Sequence, residues 1–514
     1  MVSILAARVM LGVLALAATA TGADTSSATL QSYAQARAVL DAGARAIGGA
    51  AALAALRTVR RDLTDQWVDP GQGQRPWSGA PGAIPPANGG FEATEALSFI
   101  DYAQDRWLET QRYVDSPQEY ALVLDVVTAE HGFRSIRYVD EVPFFDSLPA
   151  SDLGRLLTLK FRRNPEGVLR MALSRPETLQ WVGTSHESGR AYEVISFADS
   201  LGTRVSLYFD AKTHHLSKLE TLRDHPVAGD TSTEILYSDY RTVGALTLPF
   251  RYLDRTAGLP THVIDIRSIE LDGTLPAERF EPPRKFVAVQ HEPERPRLEK
   301  VSDSLYLVRG DYNVMFSVFP DHVIVFEAPM SDAYARECLG LIHATAAGKP
   351  IRFVVASHFH FDHIAGLRAY AAAGIPILAP PDAKAVIEKA VASRHTMRPD
   401  ALSGQPARAV IETVSGRKVL DAGGVRARIY DFGPAPHVAQ ILVGYFPDEK
   451  LLWVADLMDV LTDELVIAGV DSVPMLARIR ELGLEIDRVV PVHGVPITGE
   501  QFRQAFAIRA KYVH

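Results

Sequence analysis

A chain of 514 residues, 47% hydrophobic and 22% charged, is long enough for more than one domain and has the balance of a folded globular protein, which excludes a wholly disordered, collagenous or multi-span membrane chain. Its 53 basic and 62 acidic residues leave a net charge of −9 with no block of lysine or arginine, so a nucleic-acid backbone is excluded as a partner. The one cysteine, Cys338, rules out an intrachain disulfide, a Cys-based zinc finger and an iron–sulfur cluster. Any metal must therefore be held by His, Asp or Glu.

Arg8 precedes an apolar run over 9–18 that is short for a bilayer span, and small residues follow in Ala18-Thr19-Ala20 and Thr21-Gly22-Ala23. Residues 1–23 read as a secretory signal peptide, with cleavage before Thr21 or Asp24. The expected location is periplasmic or secreted, in a bacterium, with no stable membrane span after cleavage; an uncleaved N-terminal anchor is the alternative.

Next, Tyr33, Ala36, Leu40, Ala44 and Ile47 recur at helical spacing until Gly48-Gly49 interrupts them. Residues 68–90 are dense in glycine and proline, as in Asp69-Pro70-Gly71 and Pro85-Pro86, and predict a long irregular loop. Strands then follow: 192–197, 203–209, 216–222 and 263–269 alternate apolar and polar residues between turn signals, the pattern of an antiparallel sheet with one wet face. The Gly-Gly helical start, the strands with a turn at Phe209-Asp210, and the exit through Asp272-Gly273 to Phe280-Glu281-Pro282-Pro283 resemble the lipoprotein-carrier-like half-barrel domains of bacterial envelope proteins. That resemblance implies a mostly antiparallel β half-barrel over 24–285; its concave sheet could hold an apolar ligand or present a lipid-like substrate, and the equal alternative is a scaffold or docking surface with no pocket.

Charged, proline-rich residues 286–297 read as a linker to a second domain over 298–514. There the strands 305–308, 315–319 and 322–326 are followed by a helical pattern over 333–344 and the apolar strand 351–356. Helices over 364–373 and 383–392 then alternate with strands over 425–430, 441–446 and 451–454, which is α/β grammar.

The chemistry gathers at strand ends. Ser357-His358-Phe359-His360-Phe361-Asp362-His363 follows an apolar strand directly. In extended chain, alternate residues face the same way with Cα atoms roughly 6.5 Å apart, so His358 and His360 can converge on one ion about 2.1 Å from each nitrogen. Asp362 and His363, where the chain turns into a helix, can serve a neighbouring ion. His437 after Gly433-Pro434-Ala435-Pro436, Asp456 after Leu451-Leu452-Trp453-Val454-Ala455, and His493 after Val489-Val490-Pro491-Val492 are further ligand candidates, each beyond an apolar strand.

Together these residues resemble the ligand set of the metallo-beta-lactamase-fold hydrolases, over about 298–514. The resemblance implies an α+β chain whose second domain is an αββα sandwich with two divalent ions, commonly zinc, with manganese or iron as alternatives. Carried over residue by residue, it gives His358, His360 and His437 to the first ion, Asp362, His363 and His493 to the second, and Asp456 to both. A hydroxide shared by two cations has its pKa lowered toward about 7, and Asp362 would orient it or move its proton, so the implied reaction is hydrolysis of an ester, lactone, thioester, amide or phosphoester of a small-molecule substrate. Aspartate rather than cysteine at 456 resembles the thioesterase, lactonase and phosphodiesterase branches more than the commonest lactamases. Histidine at 360 departs from the flavin-dependent di-iron branch of the fold. A mononuclear-iron persulfide dioxygenase, a beta-lactamase, and an apolar-ligand-binding envelope protein with an inactive metal domain are the alternatives.

Simpler readings apply elsewhere. His214-His215 suit a strand turn, His322 a strand, His343 a helix, His395 the surface, and Cys338 a core position. Tyr312 and Asn313 lie in a loop where they can meet substrate.

Overall fold

The computed structural model describes residues 27–77, 83–84, 94–113, 120–138, 143–291, 295–405 and 408–512. The leader expected over 1–23 lies outside them. No helix among the described residues is long and apolar enough to cross a membrane.

Among the described residues, the N-terminal region is built on one 14-stranded sheet. Thr58–Trp67 lies inside it, paired antiparallel with Thr94–Asp101 on one side and Leu259–Leu271 on the other. From there the strands run outward in chain order to Phe144–Ser147 on one side, and in reverse chain order from Leu259–Leu271 to the edge strand Gln180–Glu187 on the other. The expected alternation is present: in Arg204–Asp210 the side chains of Val205, Leu207 and Phe209 are buried and their neighbours are not. They pack with Ala36, Leu40 and Ala44 of the first helix, Ala28–Ala46, in a single core. Ser27 caps that helix by accepting from the Leu30 amide at 3.2 Å, and beyond Gly48-Gly49 the chain resumes as Ala50–Ala55.

Two helices that a strand-by-strand reading passes over, Ala150–Arg162 and Pro165–Leu173, also belong to this region. The second sends Val168 and Leu169 into the same core and places Glu166 against Arg61 of the sheet at 2.6 Å, with side chains 0% and 2% exposed. Tyr102 donates to the same carboxylate oxygen. Nearby, a cavity of about 230 Å³ is lined by Asp65, Lys160, Arg163, Asp254 and His262 as well as by Trp107. Those walls are charged, and an acyl chain placed there would strip water from them without replacing its hydrogen bonds.

Residues of the expected linker are docked on both sides. Val287–Ala288 joins the large sheet in parallel beside Phe144–Ser147, and the Gln290 amide donates to Leu461 O at 2.7 Å. Beyond it the chain forms a seven-stranded and a six-stranded sheet. Val323–Phe326, Leu442–Phe446 and Leu451–Ala455 are buried along their whole length, as strands covered on both faces must be. Phe326 of the first sheet meets Phe446 and Trp453 of the second with ring centroids 5.2 and 5.6 Å apart, so the two sheets share one core. The helices Asp332–Thr345 and Lys384–Ala392 add Cys338, Ile342, Ile387 and Val391 to it.

The buried Arg61–Glu166 pair gives a stability prediction. Glu166→Ala leaves the guanidinium buried without its carboxylate and is expected to cost about 3–5 kcal/mol in urea unfolding; a loss below about 1 kcal/mol, the range of exposed pairs, would contradict that account.

Candidate metal centre

Parallel strands Val323–Phe326, Ile351–Val355 and Ile377–Ala379 end side by side in the first sheet, and Leu451–Ala455 and Arg488–Pro491 do so in the second. Chain leaving these ends converges. Ile351–Val355 delivers His358 and His360, and His360 opens the short helix Phe361–Ile364, so Asp362 and His363 sit in its first turn. Ala455 turns to φ 48° immediately before Asp456. His493 is followed by Gly494 at φ 88°, where an added Cβ would lie 1.9 Å from Val460 O; only glycine lets the chain turn so closely. Asn313 holds this turn by donating to Pro491 O at 3.0 Å and to Gly494 O at 2.7 Å.

All seven ligand candidates meet there, in two quartets: His358, His360, His437 and Asp456, and Asp362, His363, Asp456 and His493. Asp456 is common to both. Its Oδ2 is 2.9 Å from His363 Nε2, 3.3 Å from His437 Nε2 and 3.8 Å from His358 Nε2, while its Oδ1 is 3.4 Å from His493 Nε2. His358, His360 and His363 are fully buried, and the side chains of Asp362, His437 and His493 are 19%, 23% and 29% exposed, which marks the edge from which a small molecule can approach.

The supporting contacts decide which ring atoms face inward. Ser357 Oγ donates to Glu327 Oε2 at 2.7 Å and lies 2.9 Å from His358 Nδ1. With its own proton committed, that hydroxyl can only accept from Nδ1, leaving His358 Nε2 as a lone pair. His363 Nδ1 is 3.1 Å from the same Glu327 oxygen, which turns His363 Nε2 to the cluster. His358 Nε2, His360 Nδ1 and His437 Nε2 are buried with no hydrogen-bond partner, and so is Asp456 Oδ1. The donor set therefore fits a hard or borderline divalent cation, which imidazole lone pairs and carboxylate oxygens hold.

Charge divides the site. Burial, helped by His363 and His360, pushes His358 well below the usual imidazole range, and burial with His437 takes His360 down to about 3. On the other side burial opposes charge, but Asp456, Asp362 and Glu327 outweigh it and raise His363 well above its ordinary value; Asp456 and Asp362 raise His493 to about 10. Burial would raise Asp362 and Asp456, yet His363 and its neighbours hold both below the carboxylate range. In the first quartet His437 is the exception, raised by Asp456 against its burial; neutral imidazoles and ionised carboxylates are the forms that ligate, and the protons on His363, His493 and His437 are what a cation would displace.

Several residues here carry no local signal in the sequence. Glu327 follows an apolar strand at φ 86° without a neighbouring histidine, and Asp471 accepts from the His437 amide at 2.6 Å. Tyr312 does reach the site: its hydroxyl donates to Asp362 Oδ2 at 3.2 Å and its ring lies 4.5 Å from that of His493. His395, expected at the surface, is only 6% exposed, because its Nδ1 is tied 2.6 Å from Asp224 Oδ1 of the N-terminal region. His214 lies in the turn between two strands, at φ 58°, and Cys338 is a core residue.

Residues 309–493 match the family model of the metallo-beta-lactamase superfamily, so the C-terminal region has the fold of that superfamily. Among solved structures, the chain is similar to a metallo-beta-lactamase from Pontibacter korlensis, with 14% identity over 42% of this chain and 99% of that one and a TM-score of 0.33. It is also similar to the DIM-1 metallo-beta-lactamase (16% identity, 42% and 98% covered, TM-score 0.32) and to TMB-1 (17%, 42% and 98%, 0.33). No curated protein matches the chain by sequence.

Because Glu327 orients two imidazoles at once, Glu327→Ala is expected to weaken retention of a divalent cation roughly 10–100-fold, measured by competition with a chromophoric chelator. Unchanged retention would mean that the strand ends alone fix the ligands.

Proposed function

We propose that the protein is a metal-dependent hydrolase in which two divalent cations, zinc first and manganese or iron as alternatives, act on an ester, lactone, thioester, amide or phosphoester of a small molecule. The observation that supports this most directly is the convergence of three buried, unpartnered imidazole nitrogens, His358 Nε2, His360 Nδ1 and His437 Nε2, beside the Asp456 carboxylate. Each such buried polar atom costs about 1–3 kcal/mol when nothing binds it, so three together belong to a site made for an occupant. His358, His360, His437 and Asp456 would hold one cation, and Asp362, His363, His493 and the same Asp456 the other. When bound, the cations supply Lewis acidity, lowering the pKa of water toward neutrality and polarising the substrate's carbonyl or phosphoryl oxygen.

The chain's own residues do the rest. Asp362, held ionised at the half-open edge, can only accept; it orients the attacking water and passes its proton toward the leaving group. Burial and the Asp362 charge push the Tyr312 phenol above its ordinary range, so it stays protonated at neutral pH and its one proton holds Asp362 Oδ2 in place. Aspartate at 456, as in the thioesterase, lactonase and phosphodiesterase branches it resembles, favours thioester, lactone and phosphodiester chemistries over beta-lactam hydrolysis. We divide the chain into a leader over 1–23, a half-barrel-like domain over 24–285 and the hydrolase domain over 298–514, and the leader points to export to the periplasm or beyond.

A panel of chromogenic aryl esters, lactones and phosphodiesters tests this. At least one should be turned over, with activity lost to a chelator and restored by zinc or manganese. His360→Ala should lower it by more than the roughly 10–100-fold typical of a supporting residue. Turnover that neither chelation nor His360→Ala affects would refute the assignment.

A further inference from the structure

The seven ligand candidates all lie in the C-terminal region, but the hydrogen bonds that orient them do not come from that region alone. The strand Thr58–Trp67 of the large sheet runs on into residues 68–77, and this segment reaches the metal centre. Its start is pinned by Val68, whose amide donates to Thr261 O at 2.9 Å. A tight turn follows, with Asp69 accepting from the Gly71 amide at 2.8 Å and from the Gln72 amide at 3.0 Å. Gln72 Nε2 then donates to Asp362 Oδ1 at 2.7 Å, and Gly73 O accepts from His360 Nε2 at 2.9 Å. Gln74 closes the dock: its carbonyl accepts from the Ala439 amide at 2.8 Å, and its Nε2 donates to Ala435 O at 3.1 Å, on either side of His437.

Each of the two central contacts makes a choice between ligand atoms. A peptide carbonyl can only accept, so Gly73 fixes the proton of His360 on Nε2 and leaves Nδ1 as the lone pair, and Nδ1 is the buried atom without a partner. The Gln72 amide holds Oδ1 of Asp362 away from the cluster, so the oxygen turned inward is Oδ2, which accepts from Tyr312 and keeps a second lone pair 3.4 Å from His363 Nε2 and 3.6 Å from His493 Nε2. One contact thus serves a residue of each quartet. A second junction also holds the two regions in register. There Asp230 accepts from the Met397 amide at 3.0 Å, and a Cβ on Gly229 would lie 2.2 Å from Arg394 O.

We propose that residues 69–74 are part of the metal centre: Gly73 selects the ligand nitrogen of His360 and Gln72 is a positioning residue for Asp362, so the N-terminal region completes both cation sites. The proposal rests on the two-cation reading given above. It makes the N-terminal region a structural component of the catalytic centre rather than a module that acts apart from it.

Stepwise zinc binding to the full-length protein, followed by competition with a chromophoric chelator, tests it. Gln72→Ala is expected to weaken one of the two zinc ions by about 10–100-fold, to leave the other within about twofold, and to leave thermal unfolding of the zinc-free chain unchanged, which a general loss of structure would not do. Deletion of residues 71–73, which removes the Gly73 carbonyl as well, should weaken both ions. Two zinc ions held with wild-type affinity by both variants would overturn the proposal. A wild-type chain that takes up no zinc would instead bring down the two-cation reading, and the proposal with it, and that failure is distinct because it appears without any substitution.

Discussion

An ionised carboxylate 8% exposed, with imidazoles of His358, His363, His437 and His493 within 4 Å of it, is the constraint on which the rest of this structure depends. A buried charge of that kind is costly unless positive charge meets it. Here the compensation is a ring of imidazoles, of which His363 and His493 are raised above the ordinary imidazole value by the carboxylates around them, against the effect of burial. Two divalent cations would provide the same compensation more completely, and Asp456 would lie between them. The arrangement is held by core on both sides, since Leu451, Leu452, Trp453, Val454 and Ala455 leading to it are all 0% exposed. That core also offsets backbone strain of about 1–3 kcal/mol at each of Glu327, Met330 and Ala455, non-glycine residues at positive φ beside the site.

The fold explains why the ligands come from so many places. Two sheets that share one core present several strand ends along one edge, and each end can contribute one or two side chains without disturbing the packing beneath. Glu327 shows the economy of this layout: it leaves one strand, reaches Ser357 and His363 beyond the next, and so ties two ligands to the register of the parallel pair. The large N-terminal sheet meets the same edge through residues 69–74, while His395 and Asp224 also join the two regions.

What was legible in the sequence was local. His358, His360, Asp362 and His363 lie within six positions after an apolar strand, and Asp456 and His493 stand where apolar runs stop. Periodicity likewise carried the helix before Gly48-Gly49 and the strands that bury Val205, Leu207 and Phe209. The helix Ala150–Arg162 had a signal too, in Leu153, Leu157 and Phe161 at helical spacing, but it is enclosed by strands and easily passed over. Contacts across the fold had none. Gln72 meets Asp362 from 290 positions away, out of a glycine- and proline-rich stretch that reads as an irregular loop, and Glu327 looks like an ordinary strand-ending acid until His363 is placed beside it.

The measurement that bears most directly on the central claim is the metal content of the full-length protein and its Asp456→Ala variant by elemental mass spectrometry. With Asp456 shared between both sites, the wild-type chain should carry about two divalent cations and the variant should retain neither after exchange into metal-free buffer. A wild-type chain with a single cation, or a variant that keeps two, would contradict the shared carboxylate on which this account is built.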